Sequence, residues 1–300
     1  MQFFNKWWTY QEERFPLKQY LPMAIVFSLS AVSYSAILRN AKPSWNVILT
    51  AFLTSFCAFL LLRVADEFKD FEEDSKYRPY RPVPRGLIKL SELKWLGIAL
   101  LSIQFISAFL ILPSLLILLF IVWLYFYLMT KEFFIHEWLK AHPFTYMWSH
   151  MIILPLIDFY NTACDWMPIN GSVHWQIIWF LIASFFNGAV IEIGRKIRAK
   201  EDEEEGVETY TFLWGNKKAI TFWLFAMFLT MIAAMGAAVT INFLIPVAVS
   251  MIIIFLIAGF LGQRFLKNPT TRNAKVFEGF SGVWVFALYL VLGIVPLIIR

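Results

Sequence analysis

Nine long apolar runs dominate this chain and leave few folds open to it. They fall at about 20–38, 46–65, 93–112, 113–130, 144–161, 173–194, 218–241, 243–261 and 279–298 of the 300 residues. Crossing the hydrocarbon of a bilayer as a helix takes roughly 20 mostly apolar residues. Backbone groups find no water there, so a spanning segment is either helical or part of a closed barrel. Runs this long and continuous predict helices. The expected fold is an all-α membrane protein of nine transmembrane helices, with tight turns near Pro113 and Asn242. One domain covers residues 1–300, because no long stretch avoids the apolar runs.

Composition points the same way: 59% of the residues are hydrophobic and 16% charged, against roughly 45–50% and about 25% in soluble domains. The polar, aromatic start lacks the short apolar core and small-residue cleavage site of a signal peptide, so none is expected. Cys57 and Cys164 lie in or near apolar runs without metal-ligand spacing and read as packing residues.

Lys and Arg set the orientation. With the N-terminus in the cytoplasm, only Arg39, Lys42 and Arg300 of the 26 bases fall outside, as the positive-inside rule requires. The bases sit in loops between spans, which suits membrane topology and anionic lipid headgroups and not nucleic acid.

Two loops on the inner face carry unusual chemistry. The first, at about 66–90, follows the second span and opens with "ADEFKDFEEDSKYRPYRPVPRG". Asp66, Asp70 and Asp74 are spaced i, i+4, i+8, which on a continuous helix lines one face with a drift of about 40° per step. Three like charges so stacked repel, and a divalent cation with a preference for hard oxygen ligands, such as Mg2+, would offset the repulsion. The neighbouring Arg63, Lys76, Arg78, Arg81 and Arg85 suit phosphate oxygens. Acid and base at one boundary thus read as a metal–diphosphate site, or as a solvated juxtamembrane helix laced with salt bridges. The second loop, at about 192–215, follows the sixth span with "EIGRKIRAKEDEEEGVETYTFLWG" and again sets acids beside bases. Asn187, five residues before Glu192, is placed to face a cavity near that loop.

Asp66-Glu67-x-x-Asp70-x-x-x-Asp74 followed by Arg81-Pro82-Val83-Pro84-Arg85-Gly86 resembles the first signature of the UbiA-type intramembrane prenyltransferase superfamily, N-D-x-x-D-x-x-x-D and then R-P-x-x-x-G. Gly206-Val207-Glu208-Thr209 and Gly215 resemble the end of the second acidic motif, and Tyr125, Tyr127 and Lys131 resemble the tyrosines and base that follow the fourth span. The resemblance implies a helix bundle around a central cavity open to the bilayer, capped by the two acidic loops. It implies Mg2+ at Asp66, Asp70 and Asp74, and a second ion near Glu192 and Asp202. Arg63, Lys76, Arg81, Lys131, Arg195 and Lys196 would bind diphosphate, and Tyr125, Tyr127 and Asn187 would line the substrate cavity. The implied reaction ionises a prenyl diphosphate and moves the prenyl group to a lipophilic acceptor, usually aromatic. The chain departs from the pattern at Asp66 and Glu67, where Asn and Asp are usual, and at Lys196, where a second acid is usual. Either the later acids of "EDEEE" take over metal binding, or Arg195, Lys196 and Arg198 bind phosphate directly.

Other readings predict different features. A terpene cyclase of the same superfamily would need no acceptor. A phosphosugar transferase acting on a polyprenyl phosphate would use the extra bases. A transporter or lipid-binding protein would carry internal repeats with helices broken at mid-membrane, and the charges here cluster at one face instead.

Overall fold

The structure, a computed structural model, describes residues 2–204 and 207–299. Its elements are helical throughout the described residues. An N-terminal helix α1 (Gln2–Arg14) is followed at Pro16 by α2 (Leu17–Leu38) and α3 (Trp45–Lys69). A short α4 (Phe71–Tyr77) leads through the Arg/Pro segment to α5 (Leu90–Ile111) and α6 (Leu115–Thr130). Then come α7 (His136–Ala141), α8 (Pro143–Met151), α9 (Ile153–Trp166), α10 (Ile177–Arg195), α11 (Tyr210–Thr240) and α12 (Leu244–Lys267). The chain closes with α13 (Thr271–Tyr289), a π-helical turn Leu290–Ile294 and α14 (Val295–Ile299).

Seven of the described helical segments are long and apolar enough to cross a membrane: α2, α3, α5, α10, α11, α12 and the run from α13 to α14. The two remaining apolar runs take other forms. The fourth is α6, only 16 residues long. It ends where Glu132, Phe133 and Phe134 all adopt left-handed φ, at 48°, 53° and 60°. The fifth, expected as one helix over 144–161, breaks at Ile152 into α8 and α9. Pro155 explains the break: it has no N–H for the carbonyl of Met151, and its ring would crowd that carbonyl.

Side chains sort by face. α12 turns Ile245, Val249, Ile253, Leu256 and Phe260 outward. α10 lies at the centre, packed against α8, α9, α11 and α13. Close approach there depends on small residues: a Cβ on Gly194 would lie 2.0 Å from Ser281 Oγ. Ser281 is itself fixed, donating to the Phe277 carbonyl at 2.7 Å and accepting from Trp223 Nε1 at 2.9 Å. The C-terminal end of α10, with Glu192 and Arg195, is held in place by this contact.

Polar groups within the spans mostly pair with one another. Gln104 bridges the Thr54 carbonyl and Trp123 Nε1, and Tyr34 meets Thr240 Oγ1 at 2.7 Å. Tyr289 donates to Asp158 Oδ2 at 2.6 Å. α1 lies outside this bundle, its Trp7 and Tyr10 packed against Val64, Val83, Ile88 and Leu93.

Candidate active-site cavity

The ends of α3, α10 and α11 surround a cavity of about 1280 Å³. Asp66, Asp70 and Glu73 of the first loop line it, as do Arg195, Lys196 and Arg198 after α10. Lys131 and Glu132 come from the end of α6, Arg14 from α1, and Glu203, Glu204 and Glu208 from the second loop. Acids and bases of both loops therefore share one cavity.

The first motif does not run along one helix. α3 ends at Lys69, and Asp70 caps it with φ −92° and ψ 7°. The chain then restarts as α4 in a new direction, and this turns Asp74 away from its two partners. Asp74 is buried and does not line the cavity. Its carboxylate accepts from Arg78 Nη1 at 3.0 Å and Arg81 Nη1 at 2.5 Å, so the Arg/Pro segment is folded onto it. Asp66 keeps an open carboxylate, its side chain 45% exposed, with Arg63 Nη2 at 3.5 Å. Burial and then the neighbouring Asp66 charge push the Asp70 carboxyl up to about 6, with Asp74 and Glu73 adding to the push and Lys69 opposing it. Among the described residues Asp70 forms no ion pair, whereas Asp74 forms two.

Glu67 is diverted too. Its buried carboxylate pairs with Arg14 Nε, which ties α1 to the motif. Lys69 crosses to the α6–α8 connection, where it pairs with Glu132 and donates to Tyr146 Oη at 2.5 Å. Burial alone would raise the Glu132 carboxyl, but the hydrogen bonds from Lys69 and His136 hold it below the usual range.

At the end of α10, Glu192 Oε1 lies 3.1 Å from Lys196 Nζ, and Oε2 lies 2.5 Å from Arg195 Nη2. The second loop is stitched back onto this end of α10: Tyr210 N–H donates to the Lys196 carbonyl at 3.1 Å, and Arg198 N–H to Thr211 Oγ1 at 3.0 Å. Thr209 caps α11 by accepting from Phe212 N–H at 3.1 Å, and both Thr209 and Thr211 donate to Glu203. Gly215 then kinks α11 with φ +77°, a conformation that costs any residue with a Cβ. Glu205, and Gly206 of the G-x-x-T stretch, lie outside the described residues.

Some expected site residues stand apart. Asp202 does not line the cavity; its carboxylate accepts from Thr271 Oγ1 at 3.0 Å at the start of α13. Lys76 is off the cavity, its ammonium over the Tyr77 ring. Tyr125 donates to the Ser149 carbonyl at 2.6 Å, Tyr127 is half exposed beside Phe134, and Asn187 is buried within the bundle with its amide unpartnered. None of these three lines the cavity. Arg63, Arg81, Lys131, Arg195 and Lys196 all do.

The sequence profile of the UbiA prenyltransferase family matches residues 24–291. The chain belongs to that family. Solved UbiA-type structures share its fold. A UbiA homologue from Aeropyrum pernix K1 superposes with a TM-score of 0.68 at 15% identity, covering 89% of this chain and 97% of the other. A digeranylgeranylglyceryl phosphate synthase gives 0.60 at 21% identity, over 95% and 99% of the two chains. A UbiA homologue from Archaeoglobus fulgidus bound to GPP and Mg2+ gives 0.54 at 15% identity, over 91% and 99%. No curated protein sequence matches the chain.

Against this UbiA frame, the residues that sequence reasoning missed come from outside the two motifs. Arg14 precedes the matched region, and only its place on an amphipathic helix just before the first span hinted at the site. Lys69 hides between motif positions. Glu132, just after α6, and Tyr146, on α8, meet it from far along the chain.

Proposed function

We propose that this UbiA-family chain is an intramembrane prenyltransferase that uses Mg2+ to take a prenyl group from a prenyl diphosphate and pass it to a lipophilic acceptor, an aromatic or quinone precursor. The observation that carries the reading is one cavity lined by both Asp66 and Asp70 of the first loop and Arg195 and Lys196 of the second. In this reading all nine apolar runs cross or enter the membrane, the N-terminus is cytoplasmic, and the cavity opens at the cytoplasmic surface, where 23 of the 26 Lys and Arg residues gather.

The donor set fits the metal. Among the described residues no three acids, His or Cys close into a ready-made cluster. That suits an ion bound through one or two carboxylates and completed by water and phosphate, as Mg2+ commonly is. Asp66 and Asp70, which both line the cavity, would hold it. When bound, Mg2+ supplies Lewis acidity toward the leaving diphosphate.

The chain's own residues account for the rest. Arg63, Lys131, Arg195 and Lys196 present cations to the phosphate oxygens, where charge grows as the allylic C–O bond breaks. The bond's electron pair leaves with the diphosphate, and the acceptor's nucleophilic atom then forms the new bond to carbon and releases its proton. Lys69, fixed by Glu132 and Tyr146, locks the end of α3 so that Asp66 and Asp70 keep their aim. The 18% aromatic content offers ring faces that stabilise cations and exclude water.

The test is product analysis. Purified protein is incubated with Mg2+, DMAPP or GPP, and a panel of phenols and quinone precursors, and products are identified by mass spectrometry. A prenylated acceptor supports the reading. Products built from the donor alone would assign a cyclase, and consumption of no donor would exclude both.

A further inference from the structure

Resting on the prenyl diphosphate reading, we propose that the cavity takes a single divalent ion, at Asp66 and Asp70, and that Arg195 and Lys196 hold the remaining phosphate charge directly. The motif pattern had suggested a second ion near Glu192 and Asp202. Among the described residues, both of those candidate ligands already have partners. Both carboxylate oxygens of Glu192 are engaged, Oε1 by Lys196 at 3.1 Å and Oε2 by Arg195 at 2.5 Å. Glu192 is 6% exposed and its carboxylate is already paired with two side-chain cations, so a hard cation there would compete with both. A dication there would displace two bound cations or sit beside them. Asp202, the other candidate ligand, is bound to Thr271 and off the cavity.

The charges make the same point. Arg195 and Lys196 both pair with the one carboxylate of Glu192, so this end of α10 carries one more cation than Glu192 neutralises. Lys196 is also steadied over the Tyr210 ring, 5.4 Å from its centroid. Asp66, Asp70 and Glu73 line the cavity with Arg63 at 3.5 Å from Asp66 as the ion pair formed there. A diphosphate bound in this cavity would meet the Asp66 and Asp70 carboxylates, which need a bridging cation to bind it, and the Arg195 and Lys196 cations, which do not. Of the second-loop acids in the lining, Glu203 accepts from Thr209 and Thr211, Glu204 lies 3.9 Å from Arg78, and Glu208 is exposed. Arg gives phosphate a planar fork and Lys a compact point charge, so the two together replace the charge of an ion but not its coordination shell.

Native mass spectrometry of the full-length protein in detergent, with Mn2+ and geranyl S-thiolodiphosphate, counts the ions in the complex directly. The expected result is one Mn2+ per chain, still one in Glu192→Gln, and none in Asp70→Asn. Two ions in the wild type, or loss of the ion in Glu192→Gln, would overturn the proposal. In parallel, calorimetry with saturating Mn2+ measures affinity for the thiolodiphosphate. Lys196→Gln and Arg195→Gln are each expected to weaken it about tenfold or more, the scale of a lost charged hydrogen bond, and Lys196→Arg to stay within about threefold. Equal affinity in Lys196→Gln and wild type would contradict a phosphate-binding role. Both readouts are equilibrium measurements, so a chain that fails to transfer prenyl groups still reports one ion or two.

Discussion

Arg81 Nη1 lies 2.5 Å from Asp74 Oδ2, and this contact takes the third aspartate of the first motif out of the cavity. Asp74 then serves the fold and Asp70 the ligand, although the two look equivalent in sequence. Their amide variants are expected to move stability in opposite directions. Asp74→Asn strips a buried carboxylate from two arginines and lowers the Tm, since breaking such a pair costs about 3–5 kcal/mol. Asp70 is different: its folded carboxyl titrates near 6, above its ordinary 3.8. The metal-free protein is therefore most stable with Asp70 protonated and loses that stability as pH rises through about 6. At pH above that value Asp70→Asn is expected to leave the metal-free Tm unchanged or higher. Thermal unfolding of both variants in detergent with a chelator checks this.

The same carboxyl sets a pH dependence for metal. Protons and cations compete for Asp70, and ligands bind metal deprotonated. Affinity for Mn2+ is expected to fall as pH drops through about 6 and to be flat well above it. Titration of the wild type across this range measures the midpoint.

The bundle was legible because apolar length is a one-dimensional property: every run of about 20 residues had to become a helix or a helix pair. The break inside the fifth run was less visible, although Pro155 marks it in hindsight. Site residues were legible where they lined up along one helix, as Asp66 and Asp70 do across the end of α3. Periodicity failed at Asp74 because it assumed the helix continued past Asp70. The partners of Glu67, Lys69 and Glu192 were hidden for two reasons. Arg14 and Glu132 are distant in sequence, and nothing local says whether Lys196 serves a carboxylate or a phosphate.

A second ion pair offers a control far from the cavity. Arg39, at the end of α2 opposite the site, grips Asp165 through Nε at 2.9 Å and Nη2 at 2.6 Å, with Ser35 Oγ adding a bond at 2.8 Å. Asp165 is 4% exposed. Arg39→Ala is expected to destabilise the bundle by about 3–5 kcal/mol, the usual penalty for stranding a buried charge. It should leave Mn2+ and thiolodiphosphate affinity unchanged in the protein that remains folded. Chemical denaturation in mixed micelles, paired with calorimetry, separates the two effects.

Gly194 links packing to the site. A methyl group there would meet Ser281 Oγ at 2.0 Å and the Phe277 carbonyl at 3.1 Å. Gly194→Ala is expected to push α10 from α13, cost about 1–3 kcal/mol as overpacking does, and shift Glu192 and Arg195. Adding Ser281→Gly, which removes the obstructing side chain, is expected to recover part of the loss. A double-mutant cycle on Tm reads the coupling.

The central claim is that this cavity ionises a prenyl diphosphate with Mg2+ held by Asp66 and Asp70. Its most direct measurement is the rate of diphosphate release from GPP and DMAPP by purified protein, with Mg2+ and with chelator, for wild type and Asp70→Asn in the presence of acceptor. The account predicts release only by wild type with Mg2+, and a fall of at least about 100-fold in Asp70→Asn, the scale of losing a group that stabilises developing charge. Equal release by wild type and Asp70→Asn, or release undiminished by chelator, would contradict it.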